Sequence, residues 1–291
     1  MDFNQKFSSY VSRFENNLNN LIKSLDTSAP SVIKETIEYA ISNGGKRIRP
    51  VLLYATCEIL GVNLDDVDNF ALAIELIHSY SLVHDDLPCM DDDDYRRGKL
   101  STHKKFGEAF GVLCGDALLN LAYEICLNKE TFTLKDKKAM KILADFAGYN
   151  GMIAGQVLDI LAESEDNACE QKLLDIYVNK TSKLLTAPML MASALAGDKY
   201  YKELSKLGTF IGITFQVVDD IMDVEGSLDS IGKTPGKDQA ENKLTSIKIW
   251  GLDGAKKYAK KLYEDSIEIL SNIPNSVFLR ELVTKLYNRK K

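Results

Sequence analysis

The chain reads as an all-α protein of roughly nine to twelve helices in one domain, and three observations predict this. Apolar residues recur at three- and four-residue spacing along most of the 291 residues, alternating strand patterns are missing, and six prolines and eighteen glycines leave long stretches without helix breakers. With 45% hydrophobic and 27% charged residues, the chain can bury a substantial core and is not expected to be disordered.

The first 25 residues, MDFNQKFSSYVSRFENNLNNLIKSL, carry apolar residues at helical spacing mixed with Asn, Lys and Glu, so they read as neither a signal peptide nor a membrane span. No run of 18 or more apolar residues follows, and no membrane span is expected. Helical periodicity continues near 31–42, 50–60, 67–84, 106–127, 136–162, 170–196, 200–224, 254–271 and 276–288. Neither an internal repeat nor a Pro/Ser/Gly linker divides the chain. The longest irregular stretches are 86–100 (DLPCMDDDDYRRGKL) and 225–246 (EGSLDSIGKTPGKDQAENKLTS), each directly after aspartates that end an apolar helix. Loops of that length in a compact domain are commonly functional.

Composition removes several classes. Five widely spaced cysteines (Cys57, Cys89, Cys114, Cys126, Cys169), four of them inside apolar helical patterns, read as reduced core thiols of a cytoplasmic protein, with no CxxC metal pair. A net charge of -6 argues against nucleic acid as a global partner and leaves room for a local basic pocket that binds phosphate. Walker A and GxSxG signatures are absent.

The stretch HDDLPCMDDDD (84–94) is the strongest local anomaly, with six aspartates in eleven positions. Adjacent like charges repel by roughly 1 kcal/mol even in water, and by more where the dielectric falls, so a cation belongs there. Asp85 and Asp86 close a helix that carries His78 on nearly the same face as Asp85; Pro88 breaks that helix and lets Asp91 fold back. A second cluster lies in FQVVDDIMDVEG, where Asp219 and Asp223 sit one turn apart on one helix face, with Asp220 beside them. Hard oxygen donors with no Cys or His close by select Mg²⁺ or Mn²⁺, and Mg²⁺ usually binds through one or two carboxylates plus substrate phosphates.

Cations stand where a phosphate reading needs them. GGKRIRP (44–50) offers Lys46, Arg47 and Arg49; Arg96, Arg97 and Lys99 follow the first acidic cluster; Lys233, Lys237 and Lys243 follow the second. Singly, each reads as solvated surface, and Arg96 and Arg97 as simple neutralisers of Asp91 to Asp94; their joint occurrence carries the inference. A glycosidase pair seldom keeps six aspartates beside an Arg pair, an EF-hand needs a central Gly that HDDLPCMDDDD lacks, and three histidines are too few for a binuclear His site.

Taken together, GGKRIRP (44–50), ELIHSYSLVHDDLPCMDDDDYRRGK (75–99), STHKKFGEAFGVLCGDALL (101–119), GQVLDILAE (155–163), NKTSKLLTAP (179–188) and FQVVDDIMDV (215–224) resemble the trans-isoprenyl diphosphate synthases, in particular farnesyl diphosphate synthases of bacterial type. The resemblance implies an isoprenoid synthase fold, a single polyprenyl synthetase domain over 1–291 with ten or more helices around a central cavity, and a homodimer. It implies that Asp85, Asp91 and Asp219, with Asp220 and Asp223, hold Mg²⁺ on an allylic diphosphate. Lys46, Arg49, His78 and Arg97 match the isopentenyl diphosphate site; Arg96, Lys180, Thr181, Gln216 and Lys233 match contacts of the allylic diphosphate. Gln156 and Asp159 fit the GQ-x-x-D helix near the reacting carbons. Tyr80, the fifth residue before the first motif, matches the floor of the chain pocket, where an aromatic marks synthases that stop at fifteen carbons. One departure concerns residues 243–247: many relatives read K-x-T-Y-P where this chain has Lys243-Leu-Thr-Ser-Ile.

The expected activity is condensation of isopentenyl diphosphate with dimethylallyl and geranyl diphosphate to farnesyl diphosphate. A geranylgeranyl diphosphate synthase differs only in pocket depth. A terpene cyclase would have no second diphosphate for GGKRIRP and Arg96–Arg97, and a regulatory subunit would carry degraded aspartate motifs.

Overall fold

The computed structural model describes residues 1–25, 28–164, 168–225 and 243–289. They are almost entirely helical, and they fall into two compact units: one built from 1–54 and 63–134, the other from 55–62 and 135–291.

In the first unit, α1 (Phe3–Ser24) starts with a capping box between Asp2 and Gln5, and buries Tyr10, Phe14, Leu18 and Ile22 along one four-residue stripe. It is followed by α2 (Ser31–Ile41) and by α3 (Ile48–Leu60), whose first half belongs to this unit. A 3₁₀ turn (Leu64–Asp66) leads into α4 (Asp68–Asp85), buried almost all round from Phe70 to Tyr80. A helix apolar on every side belongs in the middle of a core, and α4 packs against α1, α2 and α6 (Glu108–Leu127). Asp68, at the positive end of α4, takes Arg13 Nε and the Tyr54 hydroxyl at 2.8 and 2.7 Å, pinning α1 and α3 to its start.

Between α4 and α6 the stretch read as irregular contains a short hairpin, β1 (Tyr95–Arg96) with β2 (Lys99–Leu100), then α5 (Thr102–Phe106). Its two central residues, Arg97 and Gly98, have φ of 54° and 78°, as a type I′ turn requires; the alternation is too short to register as a strand pattern. By length and composition α6 is apolar enough to cross a membrane, which an uninterrupted-run criterion missed because polar residues break the run. Asp116, Asn120 and Glu124 recur every fourth residue on its exposed side, a polar stripe suited to water.

In the second unit, the segment read as one helix over 136–162 is two, α7 (Leu134–Ala147) and α8 (Met152–Glu163). Gly148 and Gly151 make the break, where a Cβ on Gly151 would lie 2.2 Å from the Phe146 carbonyl oxygen. The segment over 170–196 also divides: α9 (Glu170–Ile176) runs into a π-turn (Tyr177–Ser182) and then α10 (Lys183–Leu195). Pro188 inside α10 has no N–H to give the preceding turn, and hydroxyls supply local bonds, Ser182 Oγ to the Tyr177 carbonyl at 3.0 Å and Thr186 Oγ1 to the Ser182 carbonyl at 2.7 Å. Then follow α11 (Tyr201–Glu225), α12 (Ser246–Ser271) and α13 (Val277–Tyr287). The α12 helix begins eight residues before the expected 254, with a kink at Gly251 (φ 66°) that interrupts its period.

All five cysteines are free, but only Cys57, Cys114 and Cys126 are core residues. Cys89 and Cys169 are exposed, the latter because it stands just outside α9 as its N-cap and not within it.

Candidate active site

The first aspartate motif lies at the end of α4. Asp86 N–H donates to the Leu82 carbonyl and Leu87 N–H to the His84 carbonyl, both at 3.1 Å, and Pro88 cannot extend the helix. The chain then turns back: Met90 and Asp92 N–H reach the Leu87 carbonyl, and Asp91 N–H donates to the Asp85 carbonyl at 2.9 Å. Asp91 does fold back on Asp85, and both are half-buried at this turn. The other aspartates have different work. Asp86 is buried and accepts from Arg96 Nε at 2.8 Å and from Nη2, which also reaches Asp93 at 3.0 Å; Asp94 pairs with Lys104 at 2.7 Å. Burial lifts the Asp86 carboxyl above its usual range despite Arg96. Arg96 thus pairs with two aspartates of this loop, Asp86 and Asp93.

A second group of cations closes around His78, about two turns earlier on α4. The type I′ turn aims Arg97 at GGKRIRP, where Nη1 donates to the Gly44 carbonyl and the guanidinium lies on Gly45. A Cβ at Gly45 would sit 2.6 Å from Nη1, and the glycine's φ of 134° suits no other residue, so the Gly pair exists for Arg97. Arg47 is buried and fully engaged: Nε with Glu15 at 2.7 Å, Nη1 with Glu75 at 3.1 Å, Nη2 with the Ile41 carbonyl at 2.9 Å. Arg49 is less satisfied. Its buried Nε has no partner among the described residues, and burial, with Arg97 nearby, lowers its pKa to about 10 even against the pull of Glu75. Desolvation and neighbouring arginines likewise lower Arg97, although its residue surface is largely exposed, and they hold His78 well below the usual imidazole range, so it is neutral. Lys46 is exposed at the rim. Such a cluster carries more positive charge than Glu15 and Glu75 offset, and an anion with several oxygens would balance it.

Tyr80 is buried on α4, its ring edge-on to His84 with centroids 5.9 Å apart. Burial, Tyr123 and Asp85 push its hydroxyl up to about 12, and that hydroxyl has no hydrogen-bond partner among the described residues.

The second unit carries the second motif. Asp219 is part-exposed on α11 and pairs at 2.6 Å with Arg289, which also donates to the Phe215 carbonyl at 2.6 Å and lies over the Phe215 ring. Burial lowers the Arg289 pKa, and Asp219 opposes that shift. Asp220 is buried and takes Tyr177 and Ser246. Lys180, on the π-turn, is paired with Asp159 of α8 at 2.5 Å, and Thr181 Oγ1 donates to Gln216 at 3.0 Å. Glycines permit this arrangement: a Cβ at Gly155 would meet Lys180 N at 2.1 Å, and one at Gly212 would meet Ser182 at 2.3 Å, so α8 and α11 clamp the turn from two sides. Lys180, Thr181, Gln216 and Lys243 line one cavity of about 110 Å³. Gln156 is half-buried on α8. Lys233 and Lys237 lie outside the described residues.

Among the described residues no three His, Cys, Asp or Glu side chains converge as a ready-made metal cage. Asp85, Asp91 and Asp219 offer hard carboxylate oxygens, the donor type that Mg²⁺ takes one or two at a time with phosphate oxygens completing its shell. Sequence patterns did not single out Glu75, Tyr177 or Arg289. Glu75 left a signal, a carboxylate inside an apolar helix, whereas Arg289 sits in a terminal basic run that reads as tail.

Residues 30–277 match the model of the polyprenyl synthetase family. The chain is 40% identical to the farnesyl diphosphate synthase of Micrococcus luteus, over 90% of this chain and 91% of that protein, and 40% identical to geranylgeranyl pyrophosphate synthase 7 of Arabidopsis thaliana, over 93% and 80%. Among solved structures it is similar to a Legionella pneumophila geranyltransferase (TM-score 0.89, 31% identity, 99% and 97% of the two chains). It is also similar to a Helicobacter pylori geranyltransferase complexed with magnesium and isoprenyl diphosphate (TM-score 0.82, 32% identity, 97% and 96%). The protein therefore belongs to the polyprenyl synthetase family and has its all-α isoprenoid synthase fold; it is a short-chain prenyltransferase.

Proposed function

We propose that this prenyltransferase condenses isopentenyl diphosphate with dimethylallyl and then geranyl diphosphate and releases farnesyl diphosphate. The observation that carries the reading is the cluster of arginines short of negative charge around neutral His78, on the same helix as the Asp85–Asp91 turn. Lys46, Arg49, His78 and Arg97 hold the diphosphate of isopentenyl diphosphate, with His78 donating as a neutral imidazole.

Asp85, Asp91 and Asp219 would hold Mg²⁺, with Mn²⁺ as a substitute, which would supply positive charge for the departing diphosphate. Arg96, Lys180, Thr181, Gln216 and Lys233 orient the allylic diphosphate and meet its growing charge, Arg96 by exchanging Asp93 and Lys180 by exchanging Asp159 for phosphate oxygen. The allylic C–O bond breaks with its electron pair going to diphosphate. The double bond of isopentenyl diphosphate then attacks the allylic carbon, and a proton leaves to the released diphosphate. Gln156 and Asp159 line the path of the reacting carbons.

The enzyme is proposed to be a cytoplasmic homodimer. Supporting this are its free thiols and the apolar side chains exposed on α6 (Phe110, Val112, Leu113) and on α8 (Ile153, Val157, Ile160, Leu161). Relatives named geranylgeranyl synthases at similar identity keep a twenty-carbon product as the second reading. Incubation with isopentenyl and dimethylallyl diphosphates and Mg²⁺, followed by chromatography of the dephosphorylated products, tests both. Farnesol is expected, with no product after chelation; mainly geranylgeraniol would establish the second reading.

Arg97→Ala is expected to raise KM for isopentenyl diphosphate by about tenfold to a hundredfold, the worth of a charge-assisted contact, with KM for the allylic primer changed far less. Equal losses for both substrates would remove the division into two sites.

A further inference from the structure

We propose that Asp220, the middle carboxylate of the second aspartate motif, is a positioning residue: it ties the start of α12 to the π-turn and so holds Lys243 and Lys180 on one cavity. This rests on the reading of that cavity as the allylic diphosphate site. A single oxygen of Asp220, Oδ2, accepts the Ser246 N–H at 2.6 Å, the Ser246 hydroxyl at 2.7 Å and the Tyr177 hydroxyl. The Ser246 N–H is shared with the Tyr177 oxygen at 2.9 Å, so three residues from three elements close on one another. Asp220 and Tyr177 are buried and Ser246 is wholly so. An oxygen already taking three donors in the core is poorly placed to coordinate a metal, whereas Asp219, next in sequence, faces the part-exposed side of α11.

The lock has consequences in both directions along the chain. Tyr177 opens the π-turn, and Lys180 and Thr181 lie three and four residues further on. Ser246 opens α12, with Thr245 as its N-cap, and Lys243 lies three residues before it. Lys180, Thr181, Lys243 and Thr245 all line the cavity of about 110 Å³. Joining Tyr177 to Ser246 through one carboxylate therefore sets the spacing of the two lysines. The lock falls on the departure from K-x-T-Y-P: serine at 246 puts a short hydroxyl on the Asp220 oxygen in a space with no solvent.

The test compares Asp220→Asn, Ser246→Ala and Ser246→Thr with Asp219→Asn, using amide hydrogen exchange over 243–250, KM and kcat for geranyl diphosphate, and the Mg²⁺ concentration at half-maximal binding of inorganic pyrophosphate by calorimetry. Asp220→Asn and Ser246→Ala should speed exchange over 243–250 by about tenfold to a hundredfold and raise KM several-fold more than they lower kcat, with the Mg²⁺ requirement unchanged. Ser246→Thr, which keeps the hydroxyl, should restore both, while Asp219→Asn should raise the Mg²⁺ requirement and leave exchange alone. An Asp220→Asn variant with the Mg²⁺ defect of Asp219→Asn and native exchange would overturn the proposal, as would native KM and exchange in Ser246→Ala. Absence of prenyl transfer by the unaltered enzyme would overturn the assigned reaction, while faster exchange in the variants would still support the lock.

Discussion

Asp85→Ala and Asp219→Ala are each expected to lower turnover by several orders of magnitude at saturating Mg²⁺. Removing one stabiliser of developing charge costs roughly 10²–10³ in rate, and a metal ligand does more because it positions the ion as well as supplying charge. The two substitutions should differ in stability. Asp85 is half-buried at the end of α4, where truncation leaves no closed cavity, so Tm should hardly move. Asp219 is also the counter-ion of Arg289, whose side chain is 8% exposed, and its loss leaves a buried guanidinium with only the Phe215 carbonyl and ring. Asp219→Ala should therefore lower Tm as well, while Asp219→Asn keeps a hydrogen-bond acceptor and should lose activity with a smaller thermal change. Turnover near that of the unaltered enzyme in Asp85→Ala or Asp219→Asn would remove the metal assignment.

Tyr80→Ala is expected to move the main product from fifteen carbons to twenty or more. The tyrosine lies five residues before Asp85, roughly 7–8 Å along the helix axis, a depth suited to a short prenyl tail. Its ring is fixed by burial and by the edge contact with His84, so a longer chain has to displace a packed ring at an overpacking cost of typically 1–3 kcal/mol. Simple helical phase puts Ser81 nearer the Asp85 face. In the structure Ser81 is half-buried and spends its hydroxyl on the His78 carbonyl at 2.9 Å, whereas Tyr80 presents a hydroxyl with no partner among the described residues. An unchanged product length in a folded variant would exclude Tyr80 as the floor.

The sequence by itself determined the all-α class, most helix positions and the two helix-ending clusters of hard oxygen donors. Helical period and hard oxygen donors are local properties, readable within one or two turns. Pro88 is a local signal too, and the return of Asp91 to the Asp85 carbonyl was legible from it. The tertiary structure decided which charges meet. Gly44 and Gly45 stand 53 and 52 residues from Arg97, and no period links them to a type I′ turn at Arg97 and Gly98. The same holds for the division of the aspartates, where Arg96 takes Asp86 and Asp93, and Ser246 and Tyr177 take Asp220. The π-turn was hidden for a related reason: its sequence keeps a helical pattern, and only the close approach of Gly155 and Gly212 fixes the extra residue in place. A carboxylate's chemical type is written in the chain, but its partner depends on which backbones pack closely enough to bring a donor within about 3 Å.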